Sequence, residues 1–145
     1  MADISFLGTK VTITSIPTFP QGFVVTEFAD DAEPVSFERV QIRETAVGVN
    51  GEKVSWKKVA LKPVSISVIP GSESDKNLDI LYKANTPEKD KFCVDDNITM
   101  VVAYPNGTIK TCTGGSIVEG DPAWSGDSNG RIKTKTYNFV FEKII

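Results

Sequence analysis

The feature that most constrains this chain is an Asn-Gly pair set between two runs of β-formers. Asn50-Gly51 lies between Val47-Gly48-Val49 and Glu52-Lys53-Val54. Both central residues of a type I′ turn need positive φ, which Asn-Gly supplies at low cost, so the pair predicts a hairpin with a two-residue loop. That loop sets a register. Val49 faces Glu52, Val47 faces Val54, Thr45 faces Trp56 and Glu44 faces Lys57. Further out, Ile42 faces Val59 and Val40 faces Leu61. Side chains alternate faces along a strand, so Val40, Ile42, Val59 and Leu61 fall on one face and Val47, Val54 and Trp56 on the other. Two readings account for this. A bulge near Arg43 resets the alternation, or the hairpin buries one face in its own domain and the other against a neighbouring chain.

The rest of the chain has the same β character. Residues 10–15 alternate Val11 and Ile13 with threonines, Pro17 and Pro20 interrupt the next stretch, and residues 22–28 form a second strand with Phe23 and Val25 on one face. Residues 30–34 form an acidic turn. Val64, Ile66 and Val68 alternate in a strand that ends at Pro70-Gly71. Ser72-Glu73-Ser74-Asp75 then supplies hydroxyls and acids for a helix start, and Leu78, Leu81 and Tyr82 share a stripe, which predicts one helix at about 74–84. A second Asn-Gly, Asn106-Gly107, joins strands at 98–104 and 108–113, pairing Tyr104 with Ile109 and Val102 with Thr111 and setting Cys112 opposite Val101. Residues 114–130 read as loop. In the closing strand, 131–142, Tyr137, Phe139 and Phe141 share a face. The sum is six to eight strands and one short flanking helix, a mainly β chain folded as an antiparallel β-sandwich or half-barrel over residues 1–145 as one domain.

Chemistry has little to work with. The chain holds no His among its 145 residues, which removes the usual proton carrier near neutral pH and the commonest transition-metal ligand. Cys93 and Cys112 are too few for a disulfide scaffold, and the pairing gives no support for a bond between them. The first residues lack the pattern of a signal peptide, which leads us to expect a product of a reducing cytoplasm with free thiols. No apolar run is long enough for a bilayer span. Asp30-Asp31 and Asp95-Asp96 read as solvated turn formers rather than catalytic dyads. Ser55 and Lys58 match an S-x-x-K pattern, but on a strand they face opposite sides. Asp127-Ser128-Asn129-Gly130 lacks the remaining ligands of a calcium loop. Asn97 and Asn106 sit in glycosylation patterns that a cytoplasmic chain does not use. The expectation is a chain with no catalytic residues, no cofactor and no metal, and hence no enzyme. The net charge of −3, without a basic block, disfavours tight DNA binding.

Across residues 25–142, four stretches in order resemble the tail tube proteins of long-tailed, contractile bacteriophages. They are the acidic turn Phe28-Ala29-Asp30-Asp31-Ala32-Glu33-Pro34-Val35, the hairpin tip from Val47 through Asn50-Gly51-Glu52 to Val54, the strand and helix start from Val64 to Leu78, and Asp121-Pro122 with the aromatic closing strand after it. Pro17-Thr18-Phe19-Pro20 has no counterpart in that pattern, which leaves main tube and adapter both open.

The resemblance implies a virion structural protein made in the host bacterium. Six copies would form a ring, and rings would stack into a tube through which DNA passes without specific binding. Sheath, baseplate and tape-measure proteins are the implied partners, and the same fold serves type VI secretion tubes. Asp30, Asp31, Thr45, Val47, Val49, Asn50, Gly51, Val54 and Trp56 are the candidate subunit-interface residues. Two alternatives stand beside this one: a tube-initiating or baseplate adapter of the same fold, and a β-sandwich module that binds carbohydrate or a receptor, with Trp56 and Trp124 as stacking platforms.

Overall fold

A computed structural model describes residues 4–145. Among them are ten strands and one helix, more strands than the six to eight expected. In chain order they are β1 (Lys10–Ile16), β2 (Phe19–Val25), β3 (Val35–Phe37), β4 (Arg43–Val47), β5 (Lys53–Lys57), β6 (Lys62–Val68), α1 (Glu73–Ala84), β7 (Asn97–Ala103), β8 (Ile109–Gly120), β9 (Lys135–Phe141) and β10 (Lys143–Ile144). One antiparallel sheet runs in the order β2-β1-β7-β8-β9-β6-β3, with β10 added beside β8. β4 and β5 form a separate two-stranded sheet. The chain is mainly β and antiparallel, folded as a sandwich with a short helix.

The sheet becomes two layers because β8 bends. Its first half pairs with β7 and its second half with β9, and the register shifts between Ile98 and Met100 on β7 and between Ile117 and Glu119 on β8. The bend falls at Gly114-Gly115. A Cβ on Gly115 would lie 2.3 Å from Phe141 and 2.9 Å from the Ile98 carbonyl oxygen, so only glycine lets β8 cross here. Residues 114–120, expected as loop, are therefore strand. The layers close at one edge. Phe28 bridges Val68, with Ala29 N–H donating to the Ser67 carbonyl at 3.0 Å and Ile69 N–H to the Glu27 carbonyl at 3.1 Å.

The core between the layers holds Val11, Ile13, Val25, Val64, Ile66, Val68, Ile98, Met100, Val102, Cys112, Tyr137, Phe139 and Phe141. The alternation read for β1, β6 and β9 places Val11, Ile13, Val64, Ile66, Val68, Tyr137, Phe139 and Phe141 as expected. α1 covers one end with Leu78 and Leu81, within a residue of the predicted span. Ser72 caps it, its hydroxyl accepting from Asp75 N–H at 3.2 Å. β2 starts at Phe19 rather than Gly22. Pro20 is tolerated because β2 has a ladder partner on one side only.

Both Asn-Gly hairpins are one residue out of the expected register. In the first, Gly51 N–H donates to the Gly48 carbonyl at 2.9 Å, and Gly48 N–H to the Glu52 carbonyl at 2.8 Å. Gly51 alone has positive φ, at 87°. The loop thus has three residues, a type I turn and then a left-handed glycine, instead of a two-residue type I′ turn. The second repeats it: Gly107 N–H reaches the Tyr104 carbonyl at 3.1 Å, Tyr104 N–H the Thr108 carbonyl at 2.9 Å, and Gly107 has φ of 92°. Pro105 presets the first central residue of that type I turn. Met100 therefore pairs with Cys112, Val101 with Thr111 and Ala103 with Ile109, and Cys112 faces the core.

A candidate assembly interface

In the first hairpin the corrected register pairs Arg43 with Lys57, Glu44 with Trp56, Thr45 with Ser55, Ala46 with Val54 and Val47 with Lys53. Partners directly opposite share a face. One face therefore carries Arg43, Thr45, Val47, Lys53, Ser55 and Lys57. The other carries Glu44, Ala46, Val54 and Trp56. Val47 leaves the company of Val54 and Trp56, where the two-residue turn had put it. Pairing stops with Lys58 N–H on the Ile42 carbonyl at 2.9 Å, with no bulge at Arg43. Ile42 and Val59, read as part of one apolar face at the hairpin's base, are 72% and 97% exposed, and Leu61 is 55% exposed.

The hairpin is thus an arm that lies apart from the main sheet, exposed on both faces. Trp56 and Val54 are about half exposed, and Val47 and the tip residue Val49 are open to solvent. The remaining tip candidates, Asn50 and Gly51, and Thr45 on the basic face, are exposed too. An isolated two-stranded ribbon is marginal in water, and its exposed apolar side chains make it a candidate contact surface. Lys58 and Glu44 form an ion pair at 3.3 Å, and Arg43 donates to the Ser55 hydroxyl at 3.2 Å. Ser55 and Lys58 are thus each engaged elsewhere rather than with one another.

The acidic turn belongs to the body. Asp30 accepts two bonds from Arg131, at 2.6 and 3.0 Å, and Asp31 accepts from Thr134. The Arg131 guanidinium holds the Asp30 carboxyl below its usual range. These contacts tie residues 28–35 to the approach of β9, so the arm and the acidic turn, grouped as one set in the sequence, occupy separate places.

Two buried polar clusters escaped the sequence reading. Asp96, expected as a solvated turn residue, is 2% exposed. It accepts from Thr18 N–H at 3.0 Å, the Thr18 hydroxyl at 2.5 Å and Asn85 Nδ2 at 2.7 Å. Burial alone would raise its pKa, but the bonds from Thr18 and Asn85 outweigh it and hold the carboxyl below the usual range. The group clamps the β1–β2 turn to the end of α1. The second cluster centres on Lys135, which shares the Tyr137 face of β9 and is 3% exposed. Its ammonium lies 3.5 Å from Asp75 and 3.4 Å from Asp79, and the Tyr137 hydroxyl donates to Asp75 at 3.0 Å. Burial first, then the Asp75 charge, pushes the Tyr137 hydroxyl well up. Such pairs fasten α1 to the sheet, since a buried carboxylate and ammonium are tolerable only together. The alternating pattern could have flagged Lys135 as inward-facing.

Among the described residues no group of three or more His, Cys, Asp or Glu is placed to hold a metal ion. No helix among them is long and apolar enough to cross a membrane. Cys93 and Cys112 are both free.

The fold has solved counterparts. A chain of the anti-feeding prophage cap, the tube-terminating cap, superposes with a TM-score of 0.55 at 11% identity, covering 100% of this chain and 91% of that one. A chain of the sheath/tube terminator of an extracellular contractile injection system, PVC, in the extended state, gives 0.56 at 11% identity, covering 100% and 96%. A chain from the anti-feeding prophage baseplate gives 0.54 at 10% identity, covering 100% and 95%. At these identities the likeness is one of fold. No curated protein matches the sequence. A family model described as tail fiber protein gp32 matches residues 2–145. Of the tail tube resemblance read from the motifs, the coarser part stands, that this is a tail protein, and the chain belongs to the tail fiber protein gp32 family.

Proposed function

We propose that the chain is a ring-forming structural subunit of a tail tube. The observation that carries this reading is the β4–β5 arm, which leaves the body with apolar side chains exposed on both faces and at its tip. A surface patch that meets a different patch on a neighbouring copy generates a ring when the rotation closes. In this reading six copies form each ring, rings stack, and DNA passes through the lumen without specific binding. Sheath, baseplate and tape-measure proteins contact the assembled tube, each copy contributes one domain, and no catalysis or cofactor is involved. The mild net negative charge favours a lumen that does not hold the DNA backbone.

A second reading, a ring that ends or adapts the tube, draws support from two fold neighbours, one a tube-terminating cap and the other a sheath/tube terminator. Particle mass against concentration, with negative-stain images, tests both. Tubes that lengthen with concentration support the main tube. Discrete rings of fixed mass support the terminating or adapter ring. A monomer at every concentration refutes ring formation and favours a binding module.

A further inference from the structure

We propose that the arm of one copy seats in a groove on the next, between the N-terminal segment and the crossover of residues 26–34. The proposal rests on the ring-forming reading and adds the receiving surface to it.

The groove holds about 520 Å³ and is lined by Phe6, Leu7, Lys10, Thr26, Phe28 and Pro34. Phe6 stands edge-on to Phe28 at 6.0 Å and to Tyr104 at 6.5 Å, which fixes one wall. Leu7 beside it is 90% exposed and Ile4 is 95% exposed. The lining is thus mostly apolar, with Lys10 as its one cation among the described residues. Two exposed carboxylates flank it along the chain. Glu27 lies between the lining residues Thr26 and Phe28, and Glu33 precedes Pro34. Among the described residues neither is within ion-pair distance of a cation; the acidic groups that are paired on this side include Asp30, held by Arg131.

The arm has the complementary character. Arg43 and Lys57 are directly opposite on one face, with Lys53 further along it, and none of the three has an ion-pair partner among the described residues. Like charges in register destabilise a ribbon by itself, and the carboxylates of Glu27 and Glu33, next in the chain to lining residues, offset that charge. The segment between β3 and β6, residues 38–61, carries five Lys and Arg against three Glu, while the other residues carry eleven Lys and Arg against sixteen Asp and Glu. The subunit is therefore bipolar: net +2 on the arm and −5 elsewhere. Val47 and Val49 supply apolar contacts at the tip, and complementary potentials fix which patch meets which. Arm and groove are different patches of one chain, so the contact runs head to tail, as ring closure requires.

Charge reversal tests this on the full chain. Lys53→Glu with Lys57→Glu reverses the arm, and Glu27→Lys with Glu33→Lys reverses the groove. All four positions are exposed, so each double variant should melt as the wild type does. Each alone should need about tenfold more protein, or more, for half-assembly at low salt. Mixed in equal amounts, the two should assemble again, because wild-type arm meets wild-type groove and reversed arm meets reversed groove. If the wild type assembles and both variants assemble equally well, or the mixture is not rescued, the arm does not seat in this groove, although ring formation stands. If the wild type stays monomeric, the ring-forming reading falls and this proposal with it.

Discussion

Truncating Trp56 should separate assembly from folding. In the single chain Trp56 is 48% exposed and pairs across the ribbon with Glu44. A Trp buries roughly 150–250 Å² when fully covered. The half left open is thus roughly 100 Å², worth about 2.5 kcal/mol at about 25 cal/mol/Å² if a neighbour covers it. Truncation of an aromatic anchor at an interface costs on the order of 2 kcal/mol or more, or roughly thirtyfold in association. Inside the subunit, Trp56→Ala removes one cross-strand pair, at most about 1 kcal/mol, which for a chain of this size is roughly 4 °C in melting temperature. The assay measures thermal melting of the dilute subunit beside sedimentation over a concentration series. The expected outcome is a small shift in melting and a large shift in half-assembly concentration. A melting drop of about 10 °C or more in the monomer would place Trp56 in the subunit's own packing. Unchanged assembly would remove the arm's apolar face from the interface. Either result refutes the reasoning.

Three further outcomes concern the body. Lys135→Met should destabilise the fold by about 3 kcal/mol in urea titration, because Asp75 and Asp79 lose their buried cation, and adding Asp75→Asn should cost less than the two single changes summed. Asp96 has a lowered pKa in the folded chain, so the unfolded chain binds the proton more readily. Its contribution is full above about pH 4, the unfolded value, and is lost as pH falls through the lower folded value; Asp96→Asn should therefore be less stable than wild type at about pH 7 and show a shallower acid loss, read by melting from about pH 7 to 2. Gly115→Ala should cost on the order of 2 kcal/mol, since its methyl would overlap the Phe141 ring and the Ile98 carbonyl, whereas Gly126→Ala, with open space around it, should leave the melting temperature nearly unchanged.

Alternating residues were enough to identify β1, β6 and β9, and the capping sequence at Ser72 with the Leu78 and Leu81 stripe was enough to place α1, because period and caps are local properties. The arm was legible as a hairpin, and the division of its apolar residues between two faces was the ground for expecting a partner there. The registers were not legible. An Asn-Gly pair suits the two central positions of a type I′ turn and also the last two residues of a type I turn with a left-handed glycine, and one residue of difference exchanges the faces. That exchange turned Cys112 into the core and parted Val47 from Trp56. The tightness of Gly115 against Phe141, the inward Lys135 between two carboxylates, and the groove beside Phe28 each join residues distant in the chain. Local sequence sets which residues can form strand, helix or turn; only the curling of β8 from one layer into the other decides which of them meet.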